Sequence, residues 1–442
     1  MRLLIIDPTG AALDLAFRCQ EEGNEVRLFV KDTEKTKHIG LNLVTVVRDF
    51  RPWLHWCDLL VYADNVLYLR ELDTWRAANP KKPVVGASQQ AAEWELDREV
   101  GMEVLRKHGI EVPPYKIFNS YDKAIAYVKK ENRRFVSKPS GDADKSLSYV
   151  AKSPADLVYM LARWKKAGKL KGEFVLQEFV DGCEMAVGGW FGPNGWLTGW
   201  CENFEHKKLM NDDLGVSTGE QGTVLRYVKT SKLASKVLEP LTESLHRLGY
   251  VGYIDVNCII DEKGAVWPLE FTMRFGWPTF NIQLALDSGD PGQWLMSLAK
   301  GEDPKTFSLN RLALGIVMSI PDYPYSHITR KEVCGVPIYG LTPSLWPHVH
   351  LCEAMRGLAP VQMSDRVVDL PSVLTAGDYV LVMTATGETV KETKDRVLRR
   401  LKRLIVPNSP MYRTDIGERL RRQLPTCQKH GYATEMVYST PA

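Results

Sequence analysis

The chain has no cysteine pair spaced Cys-x-x-Cys and no Cys/His cluster at ligand spacing, although eight cysteines are scattered through its 442 residues. That argues against a zinc-ribbon site and a disulfide scaffold, and leaves free thiols suited to a reducing compartment. No apolar run approaches the roughly 20 residues that span a bilayer. The opening MRLLIID reads as a strand and lacks the apolar core of a signal peptide, so a cytoplasmic location is expected. Charge of one sign is missing too: 57 basic against 54 acidic residues leave a net +3, which points to neither a nucleic-acid nor a membrane partner. No Ser/His or Cys/His arrangement offers a covalent nucleophile, and there are no repeats or low-complexity segments. His348-Val-His350 could hold a metal but reads as an ordinary strand or loop pair. What is present is a globular composition, 44% hydrophobic and 25% charged, in a chain long enough for about two to four domains.

Leu3–Ile6 is a short apolar strand, Asp7-Pro-Thr-Gly10 turns into a helix ending near Gly23, and Val26–Val30 is the next strand. This is the βαβ start of a parallel sheet, and further strands at 59–62 and 83–85 carry it to about residue 90. The turn at Asp7 sits where such folds bind ligands, but its single glycine makes it a poor phosphate loop. From Ala91 the texture changes, with a helix over 94–108 and a break at Val112-Pro-Pro114. Strands follow near 115–118, 134–138, 147–150 and 173–179, between helices capped by Ser120 and by Ser153-Pro-Ala-Asp156. Residues 112–185 have the size of a mobile lid within a second domain, 91–305. After that the chain is mainly strands to about Val382, then a helix opened by the capping box Thr389-Val-Lys-Glu392. A separate α+β domain over 306–442 is expected. The fold class is thus α/β together with α+β.

Three stretches carry chemistry. In RFVSKPSGDADKSLSYVAK, Lys138 closes a strand and Lys145 lies across a turn, so both ammonium groups can project to one side. Two cations with turn N–H groups suit a polyphosphate. In QEFVDGCE, the backbone after Gln177, over Glu178, Phe179 and Val180, can read an adenine edge, and Glu184 can accept ribose hydroxyls. In YIDVNCIIDEKGAVWPLEFTMRFG, Glu262-Lys-Gly264 makes a hairpin turn whose register sets Glu270 opposite either Asp255 or Asn257, about 5 Å away. Thr272 and Arg274 share the face of Glu270. Such an all-oxygen site suits Mg²⁺ with phosphates completing its shell. Pro268 marks an edge or a bulge. The charged, glycine-punctuated stretch Phe204–Gly222 reads as a loop that could cover a substrate.

In this order the pieces resemble the ATP-grasp superfamily and, within it, the glycinamide ribonucleotide synthetases. VVGASQQAAEWELDR is similar to the start of the ATP-grasp domain, with Arg98 where a nucleotide-binding lysine is usual. SKPSGDADKSLSYVA resembles the phosphate hairpin and QEFVDGCE the adenine linker and ribose carboxylate. EHKK, which contains Lys207, resembles an Asp-His-Lys-Arg stretch, and GVSTGEQG a substrate loop. LEFTMRFGWP is similar to the metal-binding strand, and ALGIVMSIPDYP and MYRTDIGERL to the C-terminal domain. The resemblance implies an ATP-grasp fold with an N-terminal Rossmann-like domain, and an ADP-forming ligase of purine biosynthesis. Such an enzyme joins glycine to an amine through an acyl phosphate, with ATP and Mg²⁺ (or Mn²⁺) as cofactors. It further implies Glu270, Asp255, Asn257 and Thr272 around the metal and Arg274 and Lys207 as catalytic cations. Arg98, Lys138, Lys145, Gln177, Glu178, Phe179, Val180 and Glu184 would bind the nucleotide. Partners would be small molecules, in a monomer or homodimer. The departures edit the ATP half, whose phosphate hairpin keeps only Gly141, and rebuild the acceptor half. The family's first loop, rich in glycine with Arg, Glu and His, grips a ribose phosphate. Here it is Asp7-Pro-Thr-Gly-Ala-Ala12. Thr272 and Trp277 replace an asparagine and an aspartate.

Overall fold

The computed structural model describes every residue except 140–146, 170–171, 288, 305–306, 308, 326–329, 408 and 441–442. The apolar runs β1 (Arg2–Ile6), β2 (Glu25–Phe29), β3 (Val46–Val47), β4 (Leu59–Tyr62) and β5 (Val84–Val85) form an all-parallel sheet in the order β3-β2-β1-β4-β5. β4 is buried along its whole length, as a strand covered on both faces by crossover helices must be. The N-terminal part is therefore the Rossmann-like βαβ unit expected.

The single helix expected over 94–108 is two, Gln89–Leu96 and Arg98–Lys107. Asp97 leaves the helical region (φ −109°, ψ 105°), and its carboxylate accepts the N–H groups of Glu99 and Val100, capping the second helix. The break lets Glu95 and Arg98 both reach the end of one distant strand, at Met273 and Glu270.

β6 (Tyr115–Phe118), β7 (Phe135–Pro139), β8 (Tyr149–Val150) and β9 (Phe174–Glu178) make an antiparallel sheet in the order β6-β9-β7-β8. Helices Tyr121–Glu131 and Pro154–Lys166 accompany it, the second started by a reciprocal Ser153–Asp156 capping box with proline in its first turn. Tyr121, Val128, Leu157 and Leu161 close a small core with Phe118, Phe135 and Phe174 that is separate from the main one. A unit with a core of its own is able to move as a body.

The central sheet takes β10 (Cys183–Gly192), β11 (Gly195–Trp196), β12 (Trp200–Lys208), β13 (Ser217–Val228), β14 (Gly252–Ile260), β15 (Val266–Thr272), β16 (Leu312–Ser319) and β17 (Val349–Leu351). β18 (Ala354–Gln362) and β19 (Val367–Thr375) form a two-stranded arm, and β20 (Tyr379–Gly387) returns to the central sheet. Its order is β15-β14-β10-β12-β13-β16-β20-β17, with β11 beside β10. Two expectations change here. The stretch expected as a separate C-terminal domain does not keep a main sheet to itself: β16, buried at every residue, takes β13 on one side and β20 on the other. Phe204–Gly222 is not a loop but the end of β12, a turn and the start of β13. His350 on β17 sets Nδ1 2.7 Å from Asp14 Oδ2 and Nε2 3.2 Å from Thr384 Oγ1, tying the first helix to this sheet. Among the described residues no helix is long and apolar enough to cross a membrane.

The pleat of β12 turns Glu202 away from its neighbours Asn203 and Glu205. Glu202 is 4% exposed, and the hydroxyl of Ser231, the cap of helix Lys232–Val237, donates to it at 2.6 Å. Burial pushes its carboxyl from 4.5 up to about 7. The native state thus holds a proton that the unfolded chain loses. Its contribution is complete below about pH 4.5 and fades as pH rises toward 7, by on the order of 2–3 kcal/mol. Glu202→Gln keeps the acceptor oxygen, so its melting temperature should exceed wild type at pH 8 and match it near pH 5. Equal melting at pH 8 would mean that burial does not raise the native carboxyl.

Candidate active site

Alternation along four strands brings polar groups to one face of the central sheet: Glu184 from β10, Asn203, Glu205 and Lys207 from β12, Asp255 and Asn257 from β14, and Glu270 and Thr272 from β15. Lys207 Nζ is the hub. It lies 3.2 Å from Glu184 Oε1, 3.3 Å from Glu205 Oε2 and 3.3 Å from Glu270 Oε1. The other oxygen of Glu270 takes Arg98 Nη1 at 2.9 Å. Burial alone would push the Glu270 carboxyl up, but Lys207, Arg98 and Lys138 outweigh it and hold it well below the usual range. Lys207 behaves inversely: burial lowers it, and Glu184, Glu205 and Glu270 raise it well above an ordinary lysine. Glu184 is held low against burial by Lys207 and Arg419. Lys138, at the end of β7, is pushed down to about 8 by burial and by Arg98, and feels Glu270, Lys207 and Glu184.

β14 and β15 pair in one register from Ile260↔Val266 to Cys258↔Pro268, then shift by one residue at a bulge. Asn257 therefore faces Glu270, and Asp255 faces Thr272. Pro268, which cannot donate to a ladder, sits beside the shift on the edge strand of the sheet. Asn257 Nδ2 donates to Glu205 Oε2 at 2.8 Å. Asp255 is turned to different partners: its Oδ2 accepts from Asn203 Nδ2 at 2.8 Å and Tyr253 OH at 3.1 Å, and burial together with Glu205 raises it to about 7.

Not every expected residue joins this cluster. Arg274 points its Nε at Glu95 Oε1, 3.1 Å away, and Glu95 also accepts the N–H of Met273 at 2.7 Å. The guanidinium against Glu270 is that of Arg98. On the linker, Gln177 is buried, Glu178 pairs with Arg133 at 3.2 Å, and the Arg134 guanidinium lies 3.6 Å from the Phe179 ring centroid. The N–H groups of Glu178 and Phe179 are bonded to the carbonyls of Pro114 and Arg134, and the half-buried Val180 follows. Lys145 lies outside the described residues.

Three participants were not singled out as site residues from sequence. Glu205 was hidden because its segment reads as a loop, although Asn203, Glu205 and Lys207 already alternate as a polar strand face would. Glu95 carried no signal. The third is the C-terminal segment. Arg413, 2% exposed, donates to the carbonyl of Lys208 and to Asp213, each at 2.9 Å, and to Asp415 at 2.7 Å. Gly417 N–H donates to His206 Nε2 at 3.1 Å, and Arg419 to the carbonyl of Glu205. The strand that carries Lys207 is held at both sides of that lysine.

Glu270 and Asn257, side by side across the ladder, supply the two hard oxygen donors with which a divalent cation bridging phosphates is commonly held. Among the described residues no group of three or more His, Cys, Asp or Glu could form a protein-only metal cage. The donor set fits a cation that brings phosphate oxygens with it.

Residues 97–280 match the ATP-grasp (A) domain of phosphoribosylglycinamide synthetase. The chain is 26% identical to the phosphoribosylamine–glycine ligase of Salmonella typhimurium over 354 residues, 76% of this chain and 77% of that protein. It is 25% identical to that of Streptococcus pyogenes over 448 residues, 96% of this chain and 100% of the other. The solved phosphoribosylamine–glycine ligase of Thermotoga maritima shares the fold with a TM-score of 0.71 at 17% identity, over 94% of this chain and 100% of that one. The chain thus carries an ATP-grasp (A) domain match over residues 97–280, around this cluster, and resembles phosphoribosylamine–glycine ligases over nearly its whole length.

Proposed function

We propose that the protein is an ADP-forming carboxylate–amine ligase that phosphorylates an amino-acid carboxylate such as glycine with Mg·ATP and passes the acyl group to an amine. The observation that carries this reading is the Glu270 carboxylate held between Lys207 and Arg98, with Lys138 in electrostatic reach. Preorganised cations around one anchored carboxylate suit a transferring phosphoryl group, whose charge is spread over three oxygens. Lys138, Lys145 and Arg98 would grip the phosphates, and Glu184 the ribose. The backbone of 178–180 would take the adenine, with Gln177 beneath it. Glu270 and Asn257, with Asp255 and Thr272 near them, would hold a Mg²⁺, which would supply positive charge against the phosphates. Lys207 is placed to stabilise the reacting carboxylate, and Arg274, four residues after Glu270, the acceptor side. The unit over 112–185, with its own core, is suited to close over the site and keep water from the acyl phosphate.

The test is ADP release with Mg·ATP and glycine against a panel of amines led by phosphoribosylamine, with hydroxylamine added in a parallel run. Release that needs both carboxylate and amine, and a hydroxamate formed with hydroxylamine, is the expected result. ATP binding with no release on any pair would make this a nucleotide-binding protein instead.

A further inference from the structure

Asp7 opens the turn after β1 and is 1% exposed. Its Oδ1 accepts the N–H groups of Thr9 at 2.9 Å and Gly10 at 3.1 Å and the Thr9 hydroxyl at 2.7 Å, while Oδ2 accepts the N–H of Ala12 at 2.5 Å. Backbone N–H groups converging at a strand-to-helix turn form the concavity in which α/β folds hold an anionic ligand group. In this chain the concavity is already filled by the chain's own carboxylate. A phosphate brought there would have to displace a buried side chain and would then lie against its charge.

The surroundings repeat the message. Arg274 has its Nε on Glu95, and its charge is stabilised by Glu95, Asp64 and Asp7 in that order. Asp64 in turn acts on Asp7. Three carboxylates thus act on one guanidinium, which Glu95 already binds. Asn65 adds an independent sign. It is fully buried and spends Nδ2 on Glu95 Oε2 at 2.7 Å, while its Oδ1 has no donor among the described residues. A buried acceptor without a donor, beside carboxylates, calls for a ligand that brings N–H or O–H groups.

Resting on the ligase reading above, we propose that the amine acceptor carries no phosphate, that Asp7 occupies the place such a phosphate would take, and that Asp64, Asn65 and Glu95 hold the acceptor through its own N–H and O–H groups. Met273 and Arg274, which Glu95 binds, follow Glu270 by three and four residues, and this sets Glu95 and Asn65 beside the end of the site where the acyl phosphate would form.

The experiment uses the full chain and ribose 5-phosphate as probe, by calorimetry and as an inhibitor of ADP release, for wild type and Asp7→Ser. Wild type should not bind the probe at roughly 10 mM, and Asp7→Ser, with the amides freed, should bind it at least about tenfold more tightly. In turnover, an unphosphorylated amine such as ribosylamine should exceed phosphoribosylamine by at least about tenfold in kcat/KM. Millimolar or tighter binding of ribose 5-phosphate by wild type, or preference for phosphoribosylamine, overturns the proposal. If Asp7→Ser does not fold, Asp64→Asn replaces it. The KM for the amine should rise about tenfold with the KM for ATP unmoved, and an unmoved amine KM would count against this acceptor site. Should no amine release ADP, the ligase reading falls, while the wild-type binding measurement still decides this inference.

Discussion

Glu270→Ala is expected to lower ADP release by at least about a thousandfold while leaving the chain folded. Glu270 is the anion shared by Lys207 and Arg98, from β12 and from the helix after Asp97. Without it Lys207 keeps Glu184 and Glu205, so the strands stay joined. Among the described residues Arg98 keeps no such partner, and it stands near Lys138, an ammonium that burial and Arg98 already depress to about 8. With the neighbouring carboxylate gone, Lys138 loses its proton more readily, and the phosphates lose a cation as well as the metal ligand. Glu270→Gln should fall nearly as far, because it keeps the shape and removes the charge. Melting curves taken beside ADP release separate the two effects. A folded alanine variant within about tenfold of wild-type turnover would remove Glu270 from the mechanism.

Lys207→Met is expected to cost both stability and activity. Lys207 offsets Glu184, Glu205 and Glu270, while Glu220, nearby and raised well above an ordinary carboxyl by burial and by Glu205, cannot absorb further negative charge. Breaking a fully buried ion pair costs about 3–5 kcal/mol. Here the side chains of Lys207 and Glu270 remain 32% and 35% exposed, so solvent softens the loss to about 2 kcal/mol. The loss should deepen as pH rises from about 5 to 8, since the carboxylates left without their cation must then ionise together. Urea denaturation at those two pH values measures it, and Glu205→Gln added to Lys207→Met should recover part of it. Unfolding indistinguishable from wild type at pH 8 would mean that the cluster is solvated rather than structural.

Local rules made much of this readable from sequence. Apolar runs broken by turn residues gave the parallel sheet, and Ser153 with Asp156 announced a helix start that forms as a capping box. A lone carboxylate in the apolar strand around Glu270 flagged the centre of the site. What stayed hidden depends on partners far along the chain. Asn257 faces Glu270 because a bulge beside Pro268 adds one residue after the turn, and turn chemistry alone cannot count that residue. Arg274 shares a strand face with Glu270 by periodicity, yet it turns to Glu95, 179 positions away. β12 and β13 were masked by their own function: the charges and glycines that face the site are those that otherwise mark a loop.

The clamp made by Arg413 gives the site an order of assembly in time. The carbonyl it binds, on Lys208, is 205 positions earlier in the chain. A ribosome adding about 5–20 residues per second delivers the clamp roughly ten to forty seconds after the strand it fastens. Throughout that interval the nascent polypeptide holds Lys138, Glu184, Lys207 and, later, Glu270, and β12 can already pair with β10 and β13, but the ties from Arg413, Gly417 and Arg419 on either side of Lys207 are absent. A chain that stops short of Arg413 would therefore carry Lys138, Glu184, Lys207 and Glu270 while the backbone around the hub lysine lacked its C-terminal ties.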